Sequence, residues 1–439
     1  TEKILGEFRS TIEQAMNSES GSFYRDLSIE CKKYVNNCKP VVAYLAKEFE
    51  MKKAADEHRR SSVARSGVLN VNTLHSYKYN EDIFLRKAIQ PDAKNHGLVM
   101  FVDFSGSMAS NMEATLEQLI NLVLFCKKVA IPFEVYGFND KGDFNRPLIE
   151  KPKYKKGDVI AHEFTLRQYV TDKLNARDFK AALEYLFYLK RYHGGGRYGY
   201  GCNSIFNENT YYLKIPDADA LGSTPLNSAI IVGIDIVNNF RKSRGVQICN
   251  VVFLTDGESN SLHDVYDAET QGKHYIGKGA SENNAALVFY DEKSRKVLRL
   301  NERGYRNSSQ AATSYLLDAM RNRCGVRISG FFILPNSPTN AKRAIAQLLG
   351  FGYYDTDSKE MQELMPKLRK DGVVVTGVSG YDVHFAIRGG KKLNTSEDGI
   401  LDSVEDGAKV STIRSAFKKG SKTKVKSRVL LNKFIEVIA

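Results

Sequence analysis

Apolar runs and amphipathic segments alternate along the chain from residue 97 onward. Short runs that are apolar on both faces predict buried β-strands at 98–104, 133–139, 249–256 and 326–334. Apolar residues at helical spacing predict α-helices over 112–130, 225–243 and 308–323. Buried strands separated by helices are typical of a mostly parallel sheet covered on both faces, so the pattern predicts a doubly wound α/β fold.

The first 65 residues have a different pattern. Charged stretches carry apolar residues at helical spacing, for example Leu45 and Phe49, and predict a helical N-terminal region over 1–65. Residues 66–97 break this pattern, and we interpret them as a linker with one short helix around 81–89. We therefore expect the α/β domain over 98–390, followed by a basic segment, 391–439, that ends in a helix.

Two stretches interrupt the alternation of strands and helices within the predicted domain. Residues 140–215 include the glycine-rich RYHGGGRYGYG, and residues 257–306 include ALVFYDEKSRKVLRL, which predicts a β-hairpin turning near 292–294. Both stretches follow predicted strands, on the edge of a parallel sheet where ligands bind. We interpret them as insertions that act as lids or docking elements, with passive surface elaboration as the alternative.

Short polar side chains follow the first predicted strand of the domain. Asp103 ends this strand, and Ser105 and Ser107 come next, with Gly106 permitting a tight path between them. Three oxygen-bearing side chains can therefore converge in front of the following helix. Ser110 and Glu113 form a capping-box pattern, which predicts that the helix begins there and that Ser110 is structural.

Two later loops carry similar groups. Thr224 precedes Pro225, which is the pattern of an N-cap and a first helical turn, and Asp256 follows the apolar run of a later strand. Each of these patterns has an ordinary structural explanation when it is taken alone. Together they would bring hydroxyl and carboxylate groups from separate loops to one edge of the sheet.

These positions resemble the metal-ion-dependent adhesion site of von Willebrand factor A (vWA) domains, over about residues 98–380. The family motif is D-x-S-x-S, then a Thr, then an Asp after a later strand, and it is matched here by Asp103, Ser105, Ser107, Thr224 and Asp256. The resemblance implies a Rossmann-like vWA fold that binds Mg²⁺, or Mn²⁺ or Ca²⁺ in its place. It also implies direct coordination by the three hydroxyls and water-mediated contacts from the two carboxylates. A partner then supplies an acidic residue to the ion.

A second resemblance concerns the segments that flank this region. The lead-in SGVLNVNTLHSYKYNEDIFLRK and the closing KSRVLLNKFIEVIA are similar to those of the cobaltochelatase CobT-type proteins and of vWA proteins carried by tailed bacteriophages. This resemblance implies a partner AAA+ ATPase of the MoxR or chelatase class. CobT-like proteins typically carry a long acidic tract before the vWA domain, and its absence here argues against chelatase activity. The chain also has no GxxxxGK[ST] motif, so we expect no ATP hydrolysis by it alone.

The charge of the chain adds a second class of partner. The formal net charge is +13, and basic residues cluster in 52–65, in 151–156 and above all in the longer stretch 409–428. Such a segment can attract nucleic acid, so an RNA-binding vWA protein is an alternative hypothesis. The other explanation is a solvated surface, because aromatic residues do not interleave densely with these basic residues as base stacking would require.

Two further hypotheses have less support from the sequence. A metal-dependent hydrolase would need a general base, and Glu258 is the acidic residue nearest to the predicted site in sequence, although an ordinary loop position explains it as well. A structural role in a virion is also open, because interaction modules are reused in particles. We nevertheless expect a protein-interaction module that is not an enzyme.

The spacing of the cysteines, the lengths of the apolar stretches and the N-terminal residues indicate the cellular compartment. The six cysteines lack the close paired spacing of a zinc knuckle or a disulfide framework, so we expect buried thiols in a reducing compartment. No window approaches the 18 apolar residues of a membrane span, and the N-terminus lacks the pattern of a signal peptide. We therefore expect a cytoplasmic protein of a bacterium or of a phage-infected host cell.

Overall fold

The structure is a computed structural model. It describes residues 1–16, 21–60, 62–64, 77–79, 87–89, 95–141, 159–160, 164–194, 215–257, 259–260, 264–267, 272–275, 287–291, 295–300, 305–335, 337–349, 358–389 and 433. Its α-helices are α1 (Glu2–Met16), α2 (Gly21–Arg60), α3 (Met112–Lys128), α4 (Ala176–Gly194), α5 (Leu226–Arg244), α6 (Tyr305–Cys324), α7 (Pro338–Leu348) and α8 (Lys359–Asp371).

Seven of the described strands form a central sheet. They are β1 (His96–Asp103), β2 (Phe133–Asn139), β3 (Thr165–Thr171), β4 (Ile248–Thr255), β5 (Arg327–Leu334), β6 (Val373–Thr376) and β7 (Val383–Arg388). Their spatial order is β6-β7-β5-β4-β1-β2-β3. Strands β7, β5, β4, β1 and β2 run parallel, and β6 and β3 lie antiparallel at the two edges. The predicted α/β class with a mostly parallel sheet is confirmed.

Strand β1 shows why apolar runs mark the centre of this sheet. Its side chains alternate between two cores, with Leu98, Met100 and Val102 on one face and Val99 and Phe101 on the other. All of these residues are buried, because β1 lies between β2 and β4 and helices cover both faces. A strand in this position has no solvent-facing side, so its sequence is apolar throughout.

Helices α3 and α4 cover one face of the sheet, and the N-terminal helices pack on top of them. Phe8 of α1 contacts the rings of Tyr185 and Tyr188 on α4, and Phe49 of α2 makes an edge contact with Phe125 of α3. The predicted helical N-terminal region is confirmed, and it forms an extra helical layer. On the opposite face of the sheet lie α5 and α6, with α7 and α8 nearer the β6 edge.

The predicted linker contains a strand where a helix was expected. Lys87–Ile89 pairs antiparallel with Ser62–Ala64, so the helix predicted around 81–89 is wrong for residues 87–89. Backbone pairing between segments that are distant in sequence decides the conformation here, and local periodicity does not report it.

Two elements of the central layers lie inside the stretch 140–215 that was interpreted as an insertion. Strand β3 pairs antiparallel with β2, and α4 packs beside α3 on the sheet. Strand β3 lacks an apolar run because it is an edge strand, and its first four residues are only partly buried. Strand β3 therefore lacks the sequence pattern of a central strand, and the sequence analysis did not predict it.

The second interrupting stretch contains the predicted hairpin. Leu287–Asp291 pairs antiparallel with Lys296–Leu300, so this prediction is confirmed. A separate small sheet joins the two stretches, since Val159–Ile160 pairs with Asp264–Asp267, which pairs with Gly272–Tyr275. Most of the glycine-rich 191–201 and the whole basic cluster 409–428 lie outside the described residues. The proposed domain limits and the terminal helix stay predictions.

The cysteines in the described part of the chain fit the expectation of buried thiols. Cys31, Cys38, Cys126, Cys249 and Cys324 are buried, and none of these five forms a disulfide. Cys202 lies outside the described residues. None of the described helices combines the length and the apolar character needed to cross a lipid bilayer.

We expect the buried His384 to make stability depend on pH. Burial lowers the pKa of His384 to about 4, from an ordinary value of 6.5. The unfolded chain therefore binds a proton before the folded protein does, so stability is lost as the pH falls from 6.5 towards 4, by about 1.4 kcal/mol per pH unit.

Urea unfolding of the wild type and of His384→Asn across this pH range measures the effect. Asparagine keeps a polar atom near the Thr376 hydroxyl, whose oxygen lies 2.5 Å from His384 Nδ1. Burial also lowers the pKa of His193 to about 4, so a slope from His193 remains in both proteins and the difference isolates His384. Identical slopes in the two proteins would contradict this assignment.

Candidate metal centre

The candidate site lies at the carboxyl end of the two central strands. Strands β1 and β4 are adjacent and parallel. After β1 the chain continues into α3, which lies on one face of the sheet. The helices on either side of β4 in sequence, α5 and α6, lie on the other face. A crevice opens outside the strand ends where the connections diverge in this way, and ligands of doubly wound sheets bind there. Asp103 is the last residue of β1, and Asp256 directly follows β4.

Asp103 is the most deeply buried member of the set, with no exposed surface. Its Oδ2 accepts a hydrogen bond of 2.8 Å from the Thr255 hydroxyl. Its Oδ1 is buried and accepts no hydrogen bond of ordinary geometry. A buried carboxylate oxygen without a donor is costly, so this atom needs a positively charged or hydrogen-bonding neighbour.

Ser105, Ser107 and Asp256 form a tight group beside it. The Ser107 hydroxyl donates to Asp256 Oδ1 over 2.6 Å. The Ser105 Oγ atom lies 3.0 Å from Ser107 Oγ and 3.4 Å from Asp256 Oδ1. Ser105 is buried whereas Ser107 is exposed, so the group is closed towards the sheet and open towards solvent.

Thr224 faces the same space from a third loop. A methyl group added at Gly257 would lie 3.6 Å from Thr224 Oγ1 and 3.9 Å from Ser107 Oγ. The two hydroxyls therefore border one small volume, which the missing side chain of Gly257 leaves open. The backbone also fixes this loop, because the Asn260 amide donates to the Thr224 carbonyl over 2.9 Å.

Backbone hydrogen bonds join the loop that follows β1 to the loop that precedes α5 and carries Thr224. The Gly106 amide donates to the Gly222 carbonyl over 2.7 Å, and the Gly222 amide donates to the Phe104 carbonyl over 2.8 Å. This pairing resembles one rung of a parallel sheet between Ser105 and Gly222. The positions of Ser105 and Thr224 are therefore coupled by main-chain contacts, and not by side chains alone.

The two predicted helix caps differ from the structure. Gly106–Ser110 is a short 3-10 helix, and α3 begins at Met112 with Asn111 as its N-cap and without a side-chain capping bond. The capping box of Ser110 and Glu113 is therefore wrong, because the 3-10 turn already occupies Ser110.

Thr224 is likewise not the N-cap of α5. Pro225 takes that position, and the Ser259 hydroxyl accepts from the Asn227 amide in the first turn of the helix over 2.9 Å. A neighbouring loop therefore supplies the cap that the sequence assigned to Thr224. The Thr224 side chain faces the candidate site instead.

Two acids dominate the electrostatics of the site, and no lysine or arginine is among the described groups that shift the pKa of Asp103 or Asp256. Burial raises the pKa of Asp103 well above its ordinary value of 3.8, and the nearby Asp256 carboxylate raises it further, against hydrogen bonding from Thr255 and Ser105. Burial also raises the pKa of Asp256 to about 6, although the hydroxyls of Ser107 and Ser105 oppose the shift. Both carboxylates would be stabilised in their charged forms by a cation.

The donor set fits a small hard cation. Hydroxyl and carboxylate oxygens are the ligands that Mg²⁺ and Ca²⁺ prefer, and Asp103 Oδ1 is a buried oxygen without a hydrogen bond of ordinary geometry. Within the part of the chain that the structure describes, no three residues among His, Cys, Asp and Glu form a cluster that could hold a metal ion. The site therefore differs in chemistry from a zinc centre, which takes nitrogen and sulfur ligands.

Three residues that support the site were missed by the sequence analysis. Thr255 holds the Asp103 carboxylate, Gly257 leaves room between two hydroxyls, and Asp140 accepts from the Ser223 amide over 2.6 Å. Thr255 and Gly257 flank Asp256 in sequence, and Asp140 directly follows β2. All three therefore lie where a strand ends, and this position is the sequence feature that could have identified them. Glu258, the candidate general base, lies outside the described residues.

No protein-family model and no curated protein matches the chain. Among solved structures it is similar to proximal thread matrix protein 1 from the mussel byssus, with 11% identity and a TM-score of 0.26 over 64% of this chain and 50% of that one. It is also similar to the human COPII-coat protein Sec24c, with 13% identity and a TM-score of 0.23 over 64% of this chain and 33% of that one. The chain spans half or less of the length of these proteins.

Proposed function

We propose that this chain contains a vWA-like domain with a Mg²⁺-dependent adhesion site, and that it works as a protein-interaction module. The observation that carries the proposal is the meeting of three loops at the ends of β1 and β4. One oxygen of the buried Asp103 carboxylate, Oδ1, has no hydrogen bond of ordinary geometry, and Asp256 accepts from Ser107 in the same crevice. Helix caps or turns would explain each residue separately, but they do not explain this convergence.

The proposed roles follow from where each group lies. Ser105, Ser107 and Thr224 would coordinate the ion directly, and Asp103 and Asp256 would hold its water ligands. The bound ion would supply a positive charge that neutral hydroxyl ligands leave largely uncompensated. Ser107 is exposed, so the open side of the site can admit a carboxylate from another protein.

The proposed partner is a protein that presents an acidic residue, and a AAA+ ATPase of the MoxR or chelatase class is the specific candidate. Support for this class comes from the sequence similarity of the segments that flank the domain. In this proposal the chain acts as an adaptor, and the ATPase supplies the nucleotide chemistry.

Removal of the Ser107 hydroxyl tests the metal site with little risk to the fold. Calorimetric titration with Mg²⁺ should show an affinity at least about tenfold lower for Ser107→Ala than for the wild type, because one oxygen ligand is lost. Ser110→Ala is the matched control, since Ser110 is an exposed serine of the same turn that lies outside the proposed ligand set. Equal Mg²⁺ affinities for the wild type and both variants would refute the proposed metal site.

Partner capture is tested separately from metal binding. The chain, immobilised in Mg²⁺ buffer, should retain a purified MoxR-class ATPase and release it when the chelator EDTA is added. The Ser107→Ala variant should retain less of the ATPase in the same buffer. Retention that is unchanged by EDTA would rule out a metal-mediated contact.

A further inference from the structure

The outer face of α2 carries exposed apolar side chains and shares no residue with the candidate metal centre. The inner face of this helix packs on α3 and α4, with Leu45 and Phe49 buried. On the outer face Ile29 is 47%, Tyr44 is 66% and Met51 is 57% exposed. Among the residues that the structure describes, three other large apolar side chains are exposed, and these lie outside α2: Tyr77, Tyr79 and Val375.

Helical geometry aligns the exposed apolar side chains of α2. Pro40 is exposed as well, and it lies between Ile29 and Tyr44. The steps between these residues and Met51 are 11, 4 and 7 positions in sequence. An α-helix has about 3.6 residues per turn, so the steps amount to about three, one and two turns, and the four side chains share one stripe, which we call the outer stripe. The outer stripe is about 33 Å long, since each residue adds about 1.5 Å.

Lysines accompany the outer stripe. Lys33 and Lys47 lie within it by the same helical spacing, and Lys32 and Lys39 lie along one border. All four lysines are exposed, and none of them has an ion pair or a hydrogen bond with the residues that the structure describes. Residues 31–47 contain these four lysines and no acidic residue. The middle of α2 therefore carries positive charge that no described residue neutralises through an ion pair.

The exposed acids of α2 that the structure describes lie outside this stretch. Glu30 precedes it and already binds Arg191 of α4. Asp26 and Glu50 lie beyond its two ends. Complementary charges steer two proteins together and fix their register, so an acidic partner is the one that this face suits.

We propose that the outer stripe of α2 binds an amphipathic helix of a partner protein, and that acidic residues border the apolar side of that helix. Apolar side chains of the partner pack against Ile29, Tyr44 and Met51, and its carboxylates pair with the lysines. Apolar side chains at whole-turn spacing with charges beside them are the arrangement by which one helix packs along another. The proposal goes beyond the proposed function, because it uses none of the residues of the metal centre.

Other occupants suit this face less well. A second copy of the chain would place lysines against lysines, which is unfavourable. Nucleic acid would pair with the lysines, but its phosphate backbone has no apolar group to cover Ile29 and Met51. Base stacking would also need several aromatic side chains, and the outer stripe has a single tyrosine. A helix with an apolar side and acidic borders uses both the lysines and the apolar side chains.

Fluorescence anisotropy with a labelled peptide and the full chain tests the proposal. The probe is a fluorescein-labelled peptide of Leu-Glu-Ala-Leu-Glu-Ala-Glu repeats, long enough to cover the outer stripe. The control peptide has the same composition, but its leucines are distributed around the helix. A fluorescein-labelled RNA duplex and, by co-sedimentation, vesicles that contain phosphatidylserine are the alternative probes. All titrations are made at low ionic strength, in Mg²⁺ and in EDTA.

Two double variants of α2 are compared with two matched controls. The α2 variants remove either the exposed apolar side chains or the lysines of the outer stripe. The controls change exposed residues of the same types outside α2. The apolar variant and its control are Tyr44→Ser/Met51→Ser and Tyr77→Ser/Tyr79→Ser, and the charge variant and its control are Lys33→Gln/Lys47→Gln and Lys367→Gln/Lys370→Gln.

We expect each α2 variant to bind the acidic peptide at least about tenfold more weakly than the wild type. The apolar variant loses packing at the centre of the contact, and the charge variant loses two partners of the carboxylates. Each control should bind within about threefold of the wild type, since salt screens charges that lie far from the peptide. Affinities should be the same in Mg²⁺ and in EDTA. All the changed residues are exposed, and equal unfolding midpoints confirm that the fold is retained.

The outcomes separate this proposal from the proposed function. Failure of the wild type to bind the acidic peptide, or equal affinities for the α2 variants and their controls, would overturn the assignment to α2. Equal binding of the control peptide would show that charge alone acts, and would overturn the helical partner. Tighter binding of RNA or of the vesicles, lost in the Lys33/Lys47 variant, would assign the face to that ligand instead. Peptide binding that EDTA abolishes and the α2 variants leave unchanged would place the peptide at the metal centre, which supports the proposed function and refutes this proposal.

Discussion

Replacement of Asp103 by alanine should abolish Mg²⁺ binding and metal-dependent partner capture while the fold survives. Loss of a group that holds the ligands of a metal typically costs about 10–100-fold in metal affinity, and we expect the upper end because Asp103 is fully buried. The fold should tolerate the change, since the Thr255 hydroxyl has a second acceptor in the Gly257 carbonyl at 3.3 Å.

The stability of the wild type and of the Asp103 variants should respond differently to metal. In EDTA burial raises the pKa of Asp103 and disfavours its charged form, so the isosteric variant Asp103→Asn should be at least as stable as the wild type. In Mg²⁺ the wild type should gain stability, because an ion that binds only the folded state shifts the unfolding equilibrium. Neither variant should show this gain.

Thermal unfolding in the two buffers, together with Mg²⁺ titration of each protein, measures these effects. A rise in the unfolding midpoint of Asp103→Asn with Mg²⁺ that equals the rise of the wild type would contradict the assignment of Asp103. Unfolding of both variants at room temperature would instead show that Asp103 is structural.

Asp219→Ala should cause the largest loss of stability among the changes proposed. Asp219 is fully buried, and its Oδ1 accepts from the Tyr169 hydroxyl over 2.6 Å and lies 3.0 Å from Arg167 Nε. Its Oδ2 accepts from the Tyr185 hydroxyl. Removal of Asp219 takes the acceptor from two buried tyrosine hydroxyls and one of two acidic partners from Arg167, and breaking a buried pair in this way costs about 3–5 kcal/mol.

Asp219→Ala should also affect Mg²⁺ binding at the candidate metal centre. Arg167 binds Glu7 of α1 over 2.6 Å as well as Asp219, so the network ties the N-terminal layer, β3 and α4 to the loop before α5. The same loop contains Gly222, which pairs with the backbone of the Asp103 turn, and it ends at Thr224. We therefore expect weaker Mg²⁺ binding by Asp219→Ala under conditions where the protein is still folded.

Urea unfolding in EDTA measures the change in the free energy of unfolding, and calorimetry at low temperature measures the affinity for Mg²⁺. Asp217→Ala is the matched control, because Asp217 belongs to the same 3-10 turn but is exposed. Similar losses for the two variants would show that the buried network contributes no special stability.

The central part of the fold could be predicted because buried parallel strands have a strong sequence pattern. Strand β2 has the predicted limits, and β1, β4 and β5 lie within two residues of theirs. These strands have helices on both faces, so nearly every residue in them is apolar. Strand β3 was missed because an edge strand is only partly covered, and its polar residues Arg167 and Gln168 conceal it.

The sequence alone determined the fold class and the chemical types of the candidate site, because these depend on local periodicity and on the motif itself. The roles of other residues in the site, such as Thr255 and Gly257, could be assigned only from the tertiary structure, because they depend on which loops lie next to each other. The helix caps were decided in the same way, since Ser259 from another loop takes the capping role assigned to Thr224. Local sequence encodes the conformation of each segment, but contacts between distant segments are set by the packing of the whole sheet.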